Sequence, residues 1–346
     1  MKWKTDLTLS QDTVKALFAD PKINKTLHLG AVNSINWARI LAQTTYYFHS
    51  YFALQKLPPY KPDQKVRFVV PTGNFGDILA GYFAKRMGLP TEKLVVATNE
   101  NDILDRFWKT GHYEKKAVHR VEAKGGIAAD GVKAHEDGVK GTLSPAMDIL
   151  VSSNFERLLW FLAYEFAAEA GMDDEWNKKQ AGQEVESWLK QLKSKGGFGV
   201  HAEMLKLARK DFESERVSDE QTVETIKRFY SPPTTNGGTN GAAPKGGYIL
   251  DPHSAIGVAA SLRSIKRSPA TYHISLATAH PAKFANAVDL ALKDEPGFSF
   301  DTVLPEEFVG LEKNEKRVIT VPKAAGWEGV RTIVEDEVEK GLRGSI

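Results

Sequence analysis

Residues 66–88 read VRFVVPTGNFGDILAGYFAKRMG. The β-branched and aromatic residues Val66, Phe68, Val69 and Val70 give way at Pro71 to the turn Thr72-Gly73-Asn74-Phe75-Gly76-Asp77. A helical pattern then runs to Gly88-Leu89-Pro90. The pattern predicts a strand, a glycine turn and a helix. The first N–H groups of a helix have no intrahelical acceptor and lie at the positive end of its dipole, so such a turn can hold a phosphate through main chain alone. Asp77 would repel a bound anion unless its oxygens turn back to cap N–H groups, and capping is the role expected of it. Turns of this kind also occur as plain strand-to-helix connections, so spacing alone leaves both readings open.

Immediately downstream, Leu94–Thr98 reads as a second strand. Asn99-Glu100-Asn101-Asp102 then opens a helix over Ile103–Lys109 that stops at Gly111. Two strands in succession, each leading into a helix, indicate an open parallel sheet covered by helices. Ligands of such sheets sit beyond the carboxyl ends of the strands, where the glycine turn lies. Upstream, a helical pattern from Ile35 to Gln55 carries Ile35, Ala38, Leu41, Thr45, Phe48 and Phe52, joined by Ala42 and Tyr46, on one wide face expected to be buried. Asn33, Ser34, Asn36 and Arg39 crowd its first turn. They form either an N-cap beside an exposed arginine or a second anion site in which Arg39 meets a phosphate or carboxylate.

Farther out, Lys115–Thr142 shows no sustained period and is read as a surface insertion or flexible loop. Ile149–Val151 reads as a short strand, and Ser153 with Glu156 as a capping box for a helix over Asn154–Ala170. Residues 172–230 are charged and helical in pattern (176–193, 201–212, 219–230), and 231–247 is a low-complexity loop. Tyr248–Leu250 reads as a strand leading at Asp251 into a small-residue helix that can pack closely on a sheet. Tyr272–Thr278 reads as another strand, with Thr278 at its carboxyl end. Pro281 sits where a first helical turn tolerates it. A last strand, Val318–Val321, and a helix, Trp327–Gly341, follow. The expected division is an α/β portion over 1–148 carrying the turn at 73–77, a mostly helical insertion over 149–247 and a second α/β portion over 248–346.

The composition bounds the function. At 346 residues, 42% apolar and 26% charged with a formal net charge of +2, the chain gives no bulk argument for nucleic acid or membrane binding. The absence of cysteine excludes disulfides, thiolate metal sites and cysteine nucleophiles. No apolar run reaches the roughly 18 residues of a membrane span, and the first residues lack the apolar core of a signal peptide. A cytoplasmic location is expected. Histidines such as His112, His119 and His135 show no metal-ligand spacing, and no metal is expected.

Five stretches in order, VNSINWARILAQ (32–43), PTGNFGD (71–77), LSPAMDILVSSNFERLLW (143–160), ILDPH (249–253) and LATAHPAKF (276–284), resemble the fungal and bacterial branch of threonine synthase. The resemblance implies the tryptophan-synthase-β-like fold of pyridoxal-phosphate enzymes (fold type II) and conversion of O-phospho-L-homoserine and water to L-threonine and phosphate. Carried over by position, it implies that Gly73, Asn74, Phe75, Gly76 and Asp77 bind the cofactor phosphate and that the Thr278 hydroxyl meets the pyridine nitrogen. Ser34, Asn36 and Arg39 become candidates for the substrate phosphate. The family's Schiff-base lysine lies in an N-terminal Phe-Lys-Asp sequence that does not occur in these 346 residues. Lys210-Asp211-Phe212 echoes it in the wrong order, Lys283 matches a different family lysine, and no catalytic residue is assigned. The expectation is a threonine synthase chain without its N-terminal portion, whose unpaired sheet edge and apolar face favour self-association. Its oligomeric state stays open. The alternative is a non-catalytic relative that binds pyridoxal phosphate or a phosphorylated amino acid.

Overall fold

Alternate residues of the central strands belong to different cores. Phe68 and Val70 of β1 (Val66–Pro71), with Leu94 and Val96 of β2 (Leu94–Thr98), join one apolar cluster, while Val69, Val95 and Ala97 join another. Side chains of a strand alternate between faces, so a strand buried on both sides must feed two cores. In the computed structural model, residues 13–14, 16–27, 29–30, 33–58, 60–115, 139–169, 171–230, 247–316 and 318–343 are described. They divide into two compact units, one over 34–305 and one formed by 1–33 with 306–346. In the smaller unit, α1 (Pro21–Leu27) and α11 (Gly326–Arg343) bury Ile23 and Val330, and Arg331 pairs with Asp20 at 2.8 Å.

The larger unit is an α/β fold around a four-stranded sheet of order β5-β2-β1-β6, parallel at each pairing. Here β5 is Phe212–Arg216 and β6 is Tyr272–Ser275. Among its helices are α2 (Trp37–Gln55), α3 (Gly76–Arg86), α4 (Ile103–Thr110), α5 (Phe155–Ala168), α6 (Asp174–Ser194), α7 (Ala202–Asp211), α8 (Asp219–Tyr230), α9 (Pro252–Arg267) and α10 (Ala285–Leu292). Residues of α2, α3, α4 and α5 fill the cluster on one face, and Ile256, Ala259 and Ala260 of α9 fill the other. The expected close approach of α9 is present: a Cβ on Gly257 would lie 3.0 Å from the Pro71 ring. A small antiparallel pair joins β3 (His112–Glu114) to β4 (Gly197–Gly199).

Several local expectations are corrected. The segment 212–216, read within the helical region, is the edge strand β5. Its FESER sequence alternates without a strong apolar face because Phe212 alone is deeply buried, so the periodicity signal is weak. Ile149–Val151 and Tyr248–Leu250 are not strands. The first is irregular, and it is the following Ser152 and Ser153 that bond to the glycine turn. In the second, Ile249 and Leu250 pack into a helical cluster with Ile226, Val288 and Leu292. Val318–Val321 is irregular, with Val318 53% exposed, and β6 stops at Ser275 rather than Thr278. The expected loops at 115–142 and 231–247, with His119 and His135, lie largely outside the described residues.

The buried face of α2 also differs. Ile40, Tyr47 and Tyr51 are buried, whereas Leu41 is 48% and Phe52 53% exposed. The reason is Gly81 on α3, where a Cβ would stand 2.5 Å from the Tyr47 ring. A notch for one large ring selects the narrower stripe over the wider one.

Candidate functional site

The turn after β1 starts with Thr72, whose N–H donates to Ala97 O of β2 at 2.7 Å. Phe75 then takes φ 63°, the left-handed region, at a cost of about 1–2 kcal/mol for a residue with a Cβ. Its buried ring is locked in the core, stacked on Trp108 at 5.9 Å and edge-on to Phe155 at 5.3 Å. Only the main chain of Phe75 is therefore available to a ligand. Leu79 is the first residue of α3 to close a helical bond, to Phe75 O at 3.1 Å. The N–H groups of Gly73, Asn74, Phe75, Gly76, Asp77 and Ile78 have no acceptor among the described residues.

The carbonyls of the same turn are held from behind. Ser152 Oγ donates to Gly73 O at 2.7 Å, and Asn154 donates to Asn74 O through both its N–H (3.1 Å) and Nδ2 (2.8 Å). Ser153 Oγ donates to Asn74 Oδ1 at 3.0 Å. A trans peptide points its N–H opposite its C=O, so pinning the Gly73 and Asn74 carbonyls turns the N–H groups of Asn74 and Phe75 the other way. The expected capping box of Ser153 and Glu156 does not form, because the Ser153 hydroxyl is drawn to Asn74 and Asn154 becomes the N-cap without a side-chain cap bond. Ser152, Ser153 and Asn154 were missed as site residues. They stand inside the quoted stretch 143–160, but three small polar residues before a helix look like a cap.

Asp77 does not cap N–H groups either; α3 has no side-chain cap bond. The hydroxyl of Tyr47 donates to Asp77 O at 2.8 Å and approaches Asp77 Oδ1 at 3.3 Å. Burial pushes the Asp77 carboxyl up to about 6, with the Tyr47 bond opposing the rise. Burial, and then the adjacent Asp77, raise the Tyr47 hydroxyl well above its ordinary range. Tyr47 thus takes up the carboxylate that would otherwise compete with an anion for the open donors.

Thr278 lies three residues beyond β6. The register pairs Val69 with Ser275, and Leu276 N still donates to Val69 O at 3.0 Å, so Thr278 follows β6 toward the carboxyl end of the sheet. Its side chain is exposed, and its N–H donates to Ser254 Oγ at 3.1 Å. Ser254 belongs to the first turn of α9, capped by Asp251 Oδ1, which accepts from His253 N (2.9 Å) and Ser254 N (3.4 Å).

Of the other candidates, Ser34 is brought to the turn: its carbonyl accepts from Asn154 Nδ2 at 2.8 Å and lies 3.6 Å from where a Cβ on Gly76 would be. The Asn36 side chain accepts from Ala38 N at 2.9 Å and caps α2, while Arg39 is exposed one turn further along. Lys283 is exposed in the short 3-10 turn Pro281–Phe284. Lys210 is exposed at the end of α7, just before β5 begins, and hence at the opposite end of the parallel sheet from the turn. A polar cluster shapes the carboxyl end of β2. Asp148 Oδ1 accepts from Asn99 Nδ2 (2.8 Å), Asn101 Nδ2 (3.0 Å) and Thr142 Oγ1 (2.6 Å), fixing the segment that precedes the turn's backing serines.

Comparison with known proteins gives a consistent picture. A family model described as threonine synthase, C-terminal, matches residues 254–334. The threonine synthase of Saccharomyces cerevisiae is 50% identical over 333 residues, which is 95% of this chain and 57% of that protein. That of Pseudomonas aeruginosa is 41% identical over 90% of this chain and 54% of its own length. Among solved structures, yeast threonine synthase matches with a TM-score of 0.76 at 46% identity, over 97% of this chain and 58% of that one. The PLP-bound threonine synthase of Brucella melitensis matches with a TM-score of 0.67 at 36% identity, over 92% of this chain and 55% of that one. The chain therefore spans rather more than half the length of these relatives. Within that span, the chain is similar in sequence and in fold to threonine synthases.

Proposed function

We propose that this chain carries the cofactor-phosphate site of a threonine synthase and serves the conversion of O-phospho-L-homoserine and water to L-threonine and phosphate. The observation that carries the reading is the run of open N–H donors from Gly73 to Ile78 at the start of α3. Main-chain donors at a helix N-terminus suit a phosphate dianion, and the residues present fit the phosphate of pyridoxal 5'-phosphate. When bound, that cofactor supplies an electron sink for negative charge developed on a substrate carbon.

The chain's own residues bind and orient. Gly73, Asn74, Gly76 and Asp77 offer N–H groups, Phe75 adds one more while its ring anchors the turn, and Thr278 stands for the ring-nitrogen end. A neutral hydroxyl there does not hold a proton on that nitrogen as a carboxylate would. Arg39, with Ser34 and Asn36 beside it, supplies positive charge and polar groups for the phosphate or carboxylate of the substrate. No lysine is assigned as the covalent anchor.

The test is a titration of the purified chain with pyridoxal 5'-phosphate, followed by borohydride reduction and peptide mapping. Saturable, reversible binding without a labelled lysine supports a phosphate site that takes its covalent anchor from outside this sequence. No binding refutes the site. Stoichiometric labelling of a single lysine keeps the site and assigns the covalent anchor to that lysine. Assay of O-phospho-L-homoserine turnover separates the enzyme from a relative that only binds the cofactor.

A further inference from the structure

His253 is 4% exposed and Asp251 is 1% exposed, and neither has a part in the chemistry above. The imidazole is bonded at both nitrogens. Nδ1 lies 3.0 Å from Asp251 Oδ1, and Nε2 accepts the N–H of Ala146 at 3.2 Å. A backbone N–H can only donate, so Nε2 must be bare and the proton must sit on Nδ1, directed at the carboxylate. The ring is thus a neutral acceptor with its tautomer set by Asp251. One face of it meets Phe284, with ring centroids 4.5 Å apart.

The residue it holds is the wall of the phosphate turn. Ala146 lies in the 3-10 turn Pro145–Met147, and a Cβ on Gly73 would stand 3.0 Å from Ala146 O and 3.1 Å from Met147 Cα. The other side of the same helical turn reaches the far end of the site, through Ser254 Oγ and Thr278 N. Asp251 caps both residues, so Gly73 and Thr278 are each fixed to one rigid turn of α9.

Resting on the proposed phosphate site, we infer that His253, oriented by Asp251, is a positioning residue that holds the wall behind Gly73 and so sets the cradle relative to Thr278. It touches neither cofactor nor substrate. Removing its acceptor takes away the bond that ties the Ala146 N–H to α9 and frees the 3-10 turn to move against Gly73.

The experiment compares His253→Ala, His253→Gln and the parent chain. Two-bond proton–nitrogen spectra of the ligand-free parent should show His253 protonated at Nδ1 and bare at Nε2. The Gly73 and Asn74 amide resonances should shift in His253→Ala and stay close to the parent in His253→Gln, whose side-chain carbonyl can accept in place of Nε2. Pyridoxal 5'-phosphate affinity should fall about tenfold in the alanine variant and recover to within about threefold in the glutamine variant. A ring protonated at Nε2 overturns the inference, as do unmoved Gly73 and Asn74 resonances in His253→Ala. If the alanine variant does not fold, the parent's tautomer and the glutamine variant's resonances still decide. A parent that binds no pyridoxal 5'-phosphate refutes the site reading, while the spectra judge the positioning role on their own.

Discussion

The two ends of the central sheet treat polar groups in opposite ways. At the amino end, Arg67 of β1 is buried and bonds to Glu92 at 2.7 Å, Glu213 of β5 at 3.2 Å and Ser264 of α9 at 3.2 Å. Ser264 Oγ donates to Glu213 at 2.7 Å, and His273 Nε2 lies 2.9 Å from Ser264 Oγ. Burial lowers the His273 imidazole, with the Thr271 carbonyl opposing it. At the carboxyl end, the carbonyls of the glycine turn are bonded and its N–H groups are left open. One end closes its charges upon themselves and serves stability. The other leaves its polarity unspent on one side, and a binding site needs that.

Four changes break or sharpen this contrast, in falling order of effect. Arg67→Met removes the cation from a largely buried pair with two carboxylates, and should cost about 3 kcal/mol in urea unfolding. A loss below about 1 kcal/mol would mean that water already screens the amino end.

Asp77 titrates in the opposite sense to a salt-bridged acid. Its folded value, about 6, lies above the ordinary 3.8, so the folded chain holds this proton more tightly than the unfolded one. Its contribution to stability is therefore fully present below pH ~4 and is lost as the pH rises to ~6, by on the order of 2 kcal/mol. Asp77→Asn should flatten that part of the stability profile, and an unchanged profile would show that the carboxylate is solvated.

Gly73→Ala presses a methyl group on the main chain of Ala146 and Met147. It should weaken pyridoxal 5'-phosphate binding about tenfold, or about 1.4 kcal/mol, and equal affinity would separate the turn from the ligand. Ser153→Ala removes one bond from the back of the turn and should weaken binding about threefold with little change in unfolding midpoint. A loss as large as that of Gly73→Ala would place the serine in the cradle itself.

The parallel core was legible because β1 and β2 are apolar on both faces and end at glycine turns or caps. Strand β5 was not, since an edge strand with charged residues on one side carries little periodic signal. The buried stripe of α2 was misread because the sequence offers two apolar faces, and the choice depends on Gly81, 34 residues after Tyr47, opening a notch for its ring. At the site, PTGNFGD showed the main-chain donors, but not the direction of Asp77, which is set by a hydroxyl from another helix. Ser153 has the spacing of a capping box with Glu156, and the turn it braces instead lies 79 residues before it. Contacts between residues far apart in sequence decide such roles, and no local pattern contains them.

The left-handed backbone at Phe75 has one more consequence. The residue that offers an N–H to the cradle also presses its ring on Trp108, which is 3% exposed. Any adjustment of the turn around an anion is carried straight to an indole shielded from water, so occupancy becomes an optical event. Titrating inorganic phosphate against tryptophan emission, with Trp108→Phe as the silent control, would let the empty and filled cradle be told apart without a coloured ligand.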